Sequence, residues 1–287
     1  MRILGSTRLL LTDRLVLCLF FHNFANMIFY FSGTGNTRWA AQYLSEATQE
    51  ELVFIPDHPT GTFSPDLKEG ERIGFCFPVH GWRPPKLVRD FVSRLRLRAE
   101  GHYVYALCTA GDNIGETIEI LEKDLSEVGI HLDSAFSLIM PESYVGLPFM
   151  DVDTEAKEKA KKDEAAALLQ SYEPIIAKRE KGVRQLHRGH WPRINSRIIG
   201  GYFTHRLITD RPFHVDSERC VACGICASVC PVHDIIGGPG STPQWRHDGS
   251  CLTCFACYHH CPHHAIEYGR RTQHKGQYHF DQRTKNK

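Results

Sequence analysis

Eleven cysteines are spread through 287 residues, and eight of them lie between Cys220 and Cys261. They form two copies of one pattern, C-x-x-C-x-x-C-x-x-x-C-P: Cys220, Cys223, Cys226 and Cys230 before Pro231, then Cys251, Cys254, Cys257 and Cys261 before Pro262. Three cysteines at successive third positions wrap a tight turn, which brings three thiolates to three irons of a cubane. Zinc ribbons supply two C-x-x-C pairs separated by a long spacer, not a triple run with an offset C-P. Disulfides need an oxidising compartment, and no convincing export signal accompanies these cysteines. The expected chemistry is one-electron transfer through iron–sulfur clusters. Cys76 and Cys108 lie in the apolar runs IGFCFPV and VYALCTA and read as small buried hydrophobes; neither they nor Cys18 receive a role.

Residues 213–268 resemble a bacterial 2[4Fe–4S] ferredoxin domain, including the apolar Ile235 and Ala265–Ile266 that follow each cysteine run. The resemblance implies a small α+β fold with pseudo-twofold symmetry and two closely spaced clusters. The fourth cysteine of a run cannot reach the cluster that its first three hold, and in two-cluster ferredoxins it ligates the other one. The crossed sets are Cys220, Cys223, Cys226 and Cys261 for one cluster and Cys251, Cys254, Cys257 and Cys230 for the other. His259, His260, His263 and His264 crowd the second run, but the cysteines already satisfy both clusters. These histidines read as solvent-facing or potential-tuning groups.

A second candidate site follows the apolar run MIFYF. Ser32-Gly33-Thr34-Gly35-Asn36-Thr37 leads directly into the amphipathic RWAAQYLSEA. A strand, a turn of glycine and hydroxyl residues and a helix start present backbone N–H groups and hydroxyls to an anion at the positive helix end. The nucleotide-hydrolysing P-loop and the dinucleotide fingerprint both fail, since no Gly-Lys pair follows Gly35 and Arg38 stands where the third glycine belongs. An ordinary helix capped by Asn36 or Thr37 is the bland alternative.

The hexapeptide SGTGNT resembles the FMN-phosphate loop of flavodoxins, and residues 27–182 resemble a flavodoxin-like domain over most of its length. The resemblance implies that Ser32, Thr34, Asn36 and Thr37 with their backbone amides bind the FMN phosphate, in a cofactor-binding loop that includes Gly33 and Gly35. The flavin ring is then expected between the loops after the third and fourth strands, at Pro78-Val79-His80-Gly81-Trp82 and Thr109-Ala110-Gly111-Asp112-Asn113. Trp82 could stack on the ring or serve as packing. The second ring loop lacks the tyrosine that many flavodoxins carry there.

Five apolar runs alternate with amphipathic ones from Met27 to Gly182: strands are expected at Met27–Phe31, Glu51–Ile55, Arg72–Pro78, Tyr103–Thr109 and Ala135–Met140. Helices are expected at Thr37–Glu46, Pro85–Leu97, Ile114–Val128 and Thr154–Tyr172, with Pro174 ending or kinking the last. The fold expected is an α/β flavodoxin-like, doubly wound, parallel five-stranded sheet, followed by the small α+β 2[4Fe–4S] ferredoxin-like domain. Around these lie an N-terminal extension (1–26), a basic aromatic linker (183–211) between the domains at 27–182 and 212–269, and a polar tail (270–287) that frays. The extension's Leu15–Phe21 run is too short to span a membrane and lacks a cleavage site, so it reads as an upstream start with Met27 the true beginning.

A formal net charge of +1 argues against a nucleic-acid binder. A cytoplasmic protein with no transmembrane segment is expected. A flavodoxin-like domain ahead of a 2[4Fe–4S] domain resembles the flavodoxin–ferredoxin fusion proteins of anaerobic bacteria and archaea. The resemblance implies electron transfer between FMN and the clusters, with an external redox partner protein. Two other readings stay open: a flavin-dependent reductase of a small organic substrate fed by the clusters, and a non-catalytic redox sensor or adaptor docking through 183–211.

Overall fold

The computed structural model describes residues 26–65, 67, 70–97 and 101–281. The N-terminal extension, Asn26 apart, lies outside them. Strands β1 (Met27–Tyr30), β2 (Glu51–Phe54), β3 (Arg72–Pro78), β4 (Tyr103–Ala110), β5 (Ser134–Ile139) and β6 (Arg184–Gln185) form one sheet in the order β2-β1-β3-β4-β5-β6, every pair parallel. The sheet has six strands rather than the expected five. The sixth is a two-residue polar edge within the supposed linker, too short for any periodicity to reveal.

Alternate residues of each central strand feed opposite cores, as the two-residue period of a strand requires. Phe29, Phe31, Phe75, Phe77, Val104 and Ala106 pack on one face beneath α2 (Lys86–Arg94) and α3 (Thr117–Glu127). Ile28, Cys76, Tyr105 and Leu107 pack on the other beneath α1 (Asn36–Thr48) and α4 (Glu155–Ala177). Both faces being covered explains why the strands read as continuous apolar runs. Cys76 and Cys108 are fully buried, on opposite faces of the sheet. Helix α4 runs through Pro174 to Ala177, because Tyr172 and Ile176 are both anchored in the core.

In the C-terminal domain β7 (Phe213–Val215) pairs antiparallel with β10 (Ile266–Tyr268), and β8 (Ile235–Ile236) with β9 (Gln244–Trp245). The doubled sequence gives a doubled backbone. Ala222 and Thr253, Gly224 and Phe255, and His233 and His264 occupy equivalent places after Cys220 and Cys251, and all six have positive φ. Short helices Ile225–Ser228 and Ala256–His259 follow Gly224 and Phe255 and carry Cys226 and Cys257.

The supposed linker is built structure. Residues 194–207 form one helical segment with wide i→i+5 turns at both ends. Its Gly200 lies directly against the Gly81 carbonyl, where a Cβ would collide with backbone. The tail up to Asp281 is ordered against the N-terminal domain, contrary to the expectation of fraying. Phe280 stacks on Trp39 at 5.2 Å, and the Phe280 N–H donates to the Thr34 carbonyl at 2.8 Å.

One buried ionic group ties β2, β3 and β4 at the end of the sheet away from the loops. Glu50, 2% exposed, accepts from Arg72 Nε at 2.6 Å, Tyr105 Oη at 2.8 Å and Thr48 Oγ1 at 2.9 Å. Arg72→Met leaves this carboxylate buried without its counter-charge, and urea unfolding should show a loss of about 3–5 kcal/mol. Adding Glu50→Gln to that variant should recover part of the loss.

Candidate functional site

The sheet order reverses at β1, flanked by β2 and β3, so the crevice of a doubly wound sheet opens at the carboxyl ends of β1 and β3. The SGTGNT loop and the His80 loop flank this crevice. Helix α1 begins after Gly35, held at φ 97°, with no side-chain cap. The Ser32 hydroxyl accepts from the Gly35 N–H at 3.1 Å. Among the described residues, no protein acceptor meets the N–H groups of Gly33, Thr34, Asn36 or Thr37, although Thr34, Asn36 and Thr37 are buried. Buried amides rarely stay unpaired, so this loop fits an anion such as the phosphate of FMN.

Two of the predicted side chains are already engaged. Asn36 donates through Nδ2 to the Pro141 carbonyl at 3.1 Å and accepts from the Tyr278 hydroxyl at 2.6 Å. The hydroxyls of Thr37 and Thr109 are 2.8 Å apart, which joins the phosphate loop to the end of β4. These bonds fix the loop, so an anion there would be left to the amides and to Thr34.

The ring loops are more enclosed than expected. Gly81 is covered by Phe203, whose ring meets Tyr144 edge-on at 5.1 Å. Trp82 takes a left-handed backbone at φ 57° and directs its Cβ toward Gly115. The Ser196 hydroxyl donates to the Trp82 carbonyl at 2.9 Å and accepts from the Glu116 N–H at 2.7 Å. Met140 N–H bonds the Ala110 carbonyl at 2.8 Å, and Lys161 Nζ bonds that of Gly111 at 2.6 Å. The Glu142 carboxylate presses on Gly111, and burial raises its pKa despite the N–H bonds from Tyr144 and Ser143. Asp112 accepts from Asn113 Nδ2 at 2.9 Å.

The eight cysteines of the C-terminal domain surround two cavities. One is lined by Cys230, Cys251, Cys254 and Cys257 with Phe213, Trp245 and Phe255. The other is lined by Cys220, Cys223, Cys226 and Cys261 with Val221, Ile225 and His263. Each cavity thus takes three cysteines from one run and the fourth from the other. Burial pushes the Cys226 thiol up to about 11 and Cys254 up to about 12, and it raises Cys251 and Cys257 as well. Thiolates become favourable here only with positive charge among them, as iron would supply. Three thiols from one run and a fourth from the other is the donor set of a polynuclear iron–sulfur cluster. Backbone N–H groups of Asp234 and Ala265, equivalent in the repeat, lie 3.3 Å from the sulfurs of Cys230 and Cys261.

The cavity of the second run sits against the phosphate loop. A Cβ on Gly33 would lie 3.1 Å from Cys254 Cβ and 3.4 Å from its sulfur. The ordered tail reinforces this docking. Gln277 Nε2 donates to the Cys261 carbonyl at 2.8 Å, the Tyr278 N–H to His259 Nδ1 at 3.0 Å, and Arg38 pairs with Asp281. His259 is therefore a buried joint, with Nε2 2.7 Å from the Ser143 carbonyl, and not a solvent-facing group. Sequence reasoning missed Glu142, Phe203, Tyr278 and Phe280. Only the aromatics of QYHF in a polar tail offered a signal.

Family models match a flavodoxin domain over residues 27–131 and a 4Fe-4S dicluster domain over residues 213–262. A 26-residue stretch is 62% identical to the L-aspartate semialdehyde sulfurtransferase iron-sulfur subunit of Methanosarcina acetivorans, covering 9% of this chain and 20% of that protein's length. Among solved structures, the flavodoxin of Streptococcus pneumoniae TIGR4 is 14% identical at a TM-score of 0.29, covering 51% of this chain and 98% of that one. Rubredoxin oxygen:oxidoreductase from the anaerobe Desulfovibrio gigas is 15% identical at a TM-score of 0.29, covering 53% of this chain and 36% of that one. The parallel sheet with its anion loop and the doubled cysteine domain define an iron–sulfur and flavin protein of electron transfer. A flavodoxin domain followed by a 4Fe-4S dicluster domain matches the flavodoxin–ferredoxin fusion architecture, and the two domains support FMN in the first and iron–sulfur clusters in the second. No helix among the described residues is long and apolar enough to cross a membrane.

His80 offers a pH test of this edge. Burial lowers its pKa from the ordinary 6.5 to about 4. The unfolded chain takes up the proton first, so this histidine's contribution to stability is intact above pH 6.5 and declines as pH falls toward 4. Urea melts of the full chain between pH 7.5 and 5 should show a shallower loss for His80→Leu than for the parent protein.

Proposed function

We propose that the chain passes single electrons between an external redox partner protein and FMN in its own N-terminal domain, through two [4Fe–4S] clusters. The observation that carries this reading is the close packing of Cys254 on Gly33, which sets one cluster cavity against the anion loop. Cys220, Cys223, Cys226 and Cys261 hold the outer cluster, and Cys230, Cys251, Cys254 and Cys257 the inner one, as the linings of the two cavities support. When bound, the clusters exchange one electron each and the flavin one or two. The protein's part is to hold them. The amides of Gly33, Thr34, Asn36 and Thr37 would take the phosphate, Phe203 and Tyr144 close the edge of the crevice, and Phe255 and Trp245 line the inner cavity. Cys223 is exposed whereas Cys257 is buried, so the outer cavity is the one a partner reaches.

A second reading, reduction of a small organic substrate, has one observation in its favour. Glu142 carries a carboxyl with raised pKa beside Gly111, where a proton donor to a flavin-bound substrate would stand. Substrate-dependent turnover lost in Glu142→Gln would establish it.

Crossed ligation makes a distinctive prediction for paired cysteine variants. Cys254→Ser with Cys230→Ser should lose the same cluster as either alone, leaving about half of the parent iron and sulfide, whereas Cys254→Ser with Cys261→Ser should disturb both. Iron and sulfide quantified after anaerobic purification decide the matter; an uncrossed arrangement gives the opposite pattern. For the flavin, reconstitution followed by reductive titration should show a bound flavin spectrum, and Thr34→Val should weaken FMN binding by about tenfold, the loss of one hydrogen bond to a charged group. A chain that shows no flavin spectrum at any FMN concentration would reduce the N-terminal domain to a scaffold.

A further inference from the structure

The helical segment 194–207 is inverted relative to an ordinary surface helix. Its inward positions are small or half-buried: Ser196 bridges Trp82 and Glu116, Gly200 meets Gly81, and Phe203 covers Gly81. Its large apolar residues point outward. Ile194, Ile198, Ile199 and Tyr202, with Trp191 just before the segment, account for five of the eight exposed large hydrophobics among the described residues. Trp191 and Ile198 are each 67% exposed and Tyr202 63%, so the stripe runs the length of the segment with an aromatic side chain toward either end. Scattered exposed hydrophobics need no explanation, but a contiguous stripe marks an interaction surface.

Charge narrows the partner. From Lys181 to Thr209 there are six Lys and Arg residues and no Asp or Glu. Glu122, Glu119 and Glu116 of the neighbouring domain engage Arg184, Arg188 and Arg197, which fastens the segment to the protein. Arg193 keeps its side chain 82% exposed and reaches Glu116 only at 3.8 Å, and no salt bridge holds the exposed Arg206 among the described residues. Cations therefore border an exposed apolar stripe, while the concavity beside the segment, reached by Thr204 and His205, is lined by charged residues such as Arg89, Asp90 and Asp124 and not by the stripe. An exposed stripe of Ile, Trp and Tyr edged by Arg fits the headgroup region of a bilayer, where apolar side chains sink below the phosphates and guanidinium groups remain among them. A groove-bearing protein partner would need a complementary trough, but anionic lipid conforms to the helix.

We propose that residues 191–207 are an in-plane anchor that holds this electron-transfer protein to an anionic membrane surface. The stripe lies on the element that covers Gly81, so attachment would bring the edge of the crevice close to the bilayer. The proposal does not depend on which cofactors are bound.

The test uses the full chain, purified anaerobically, in co-sedimentation with vesicles of phosphatidylcholine alone or mixed with phosphatidylglycerol. The parent protein should bind the mixed vesicles and release them as salt rises. Ile198→Glu should lower the partition coefficient by about tenfold or more, because it places a charge within the apolar stripe. Arg193→Gln with Arg206→Gln should weaken binding to mixed vesicles more than to phosphatidylcholine. Iron content equal to the parent's establishes that each variant is folded, and both substitutions lie at exposed positions. A parent protein that ignores anionic vesicles, or an Ile198→Glu variant that binds them equally, overturns the proposal. Concentration-dependent dimerisation abolished by Ile198→Glu, without vesicle binding, would also overturn it by assigning the stripe to a second copy. Saturable binding of a purified acidic redox protein at this stripe, again without vesicle binding, would overturn it in favour of a protein partner.

Discussion

Everything at the functional end of this protein depends on one close approach, the packing of Cys254 against the backbone of Gly33. A side chain at residue 33 would crowd the cysteine, its Cβ only 3.1 Å from that of Cys254. With hydrogen there, the cavity of the second cysteine run rests on the turn that presents the orphaned amides. Donor groups for an anion and donor groups for iron are thereby brought within van der Waals reach, and electron exchange depends steeply on such proximity. The remaining interdomain contacts hold this arrangement. Helix 194–207 closes one side through Gly200 and Gly81, and the segment around Tyr278 and Phe280 closes the other.

Two kinds of strain surround the cysteines, and both follow from wrapping a chain around a compact cluster. Thr253, Phe255 and His264 adopt left-handed backbone conformations that non-glycine residues ordinarily avoid, matched in the first run by Ala222 and His233. Such conformations persist only where the surroundings over-determine them, which is common at binding sites. The thiols are also held where burial disfavours their charged forms. Iron offsets the second cost by stabilising the thiolates, so its binding stabilises the folded domain.

The sequence carried the sheet and the cysteine framework clearly because both are periodic. Buried strands such as RIGFCFP and YVYALCTA place an apolar residue on each face in turn, and the doubled C-x-x-C-x-x-C-x-x-x-C-P repeats at a fixed interval. The sixth strand escaped notice, since two polar residues at a sheet edge have no pattern. Helix 194–207 read as a linker because its buried positions are Ser196 and Gly200 while its apolar residues face outward, the reverse of the usual signal. The loop SGTGNT was legible as an anion site, but the division of labour within it was not. Asn36 and Thr37 bond to partners that lie far along the chain, and nothing local announces Tyr278 or Thr109 as those partners.

The seal made by Tyr278 and Phe280 has a consequence for the order of events during synthesis. Tyr278 follows its partner Asn36 by 242 positions, so the ribosome delivers the cover long after it has delivered the loop. Domains generally fold as they emerge, N-terminal first. The sheet and its row of amides can therefore form while the cysteine runs are still being made, with the mouth of the crevice facing solvent. Phe280 reaches Thr34 and packs over Gly35 only after that late segment has been made. Assembly of this protein thus has a direction built into the chain: anion loop, then cysteine cavities, then closure.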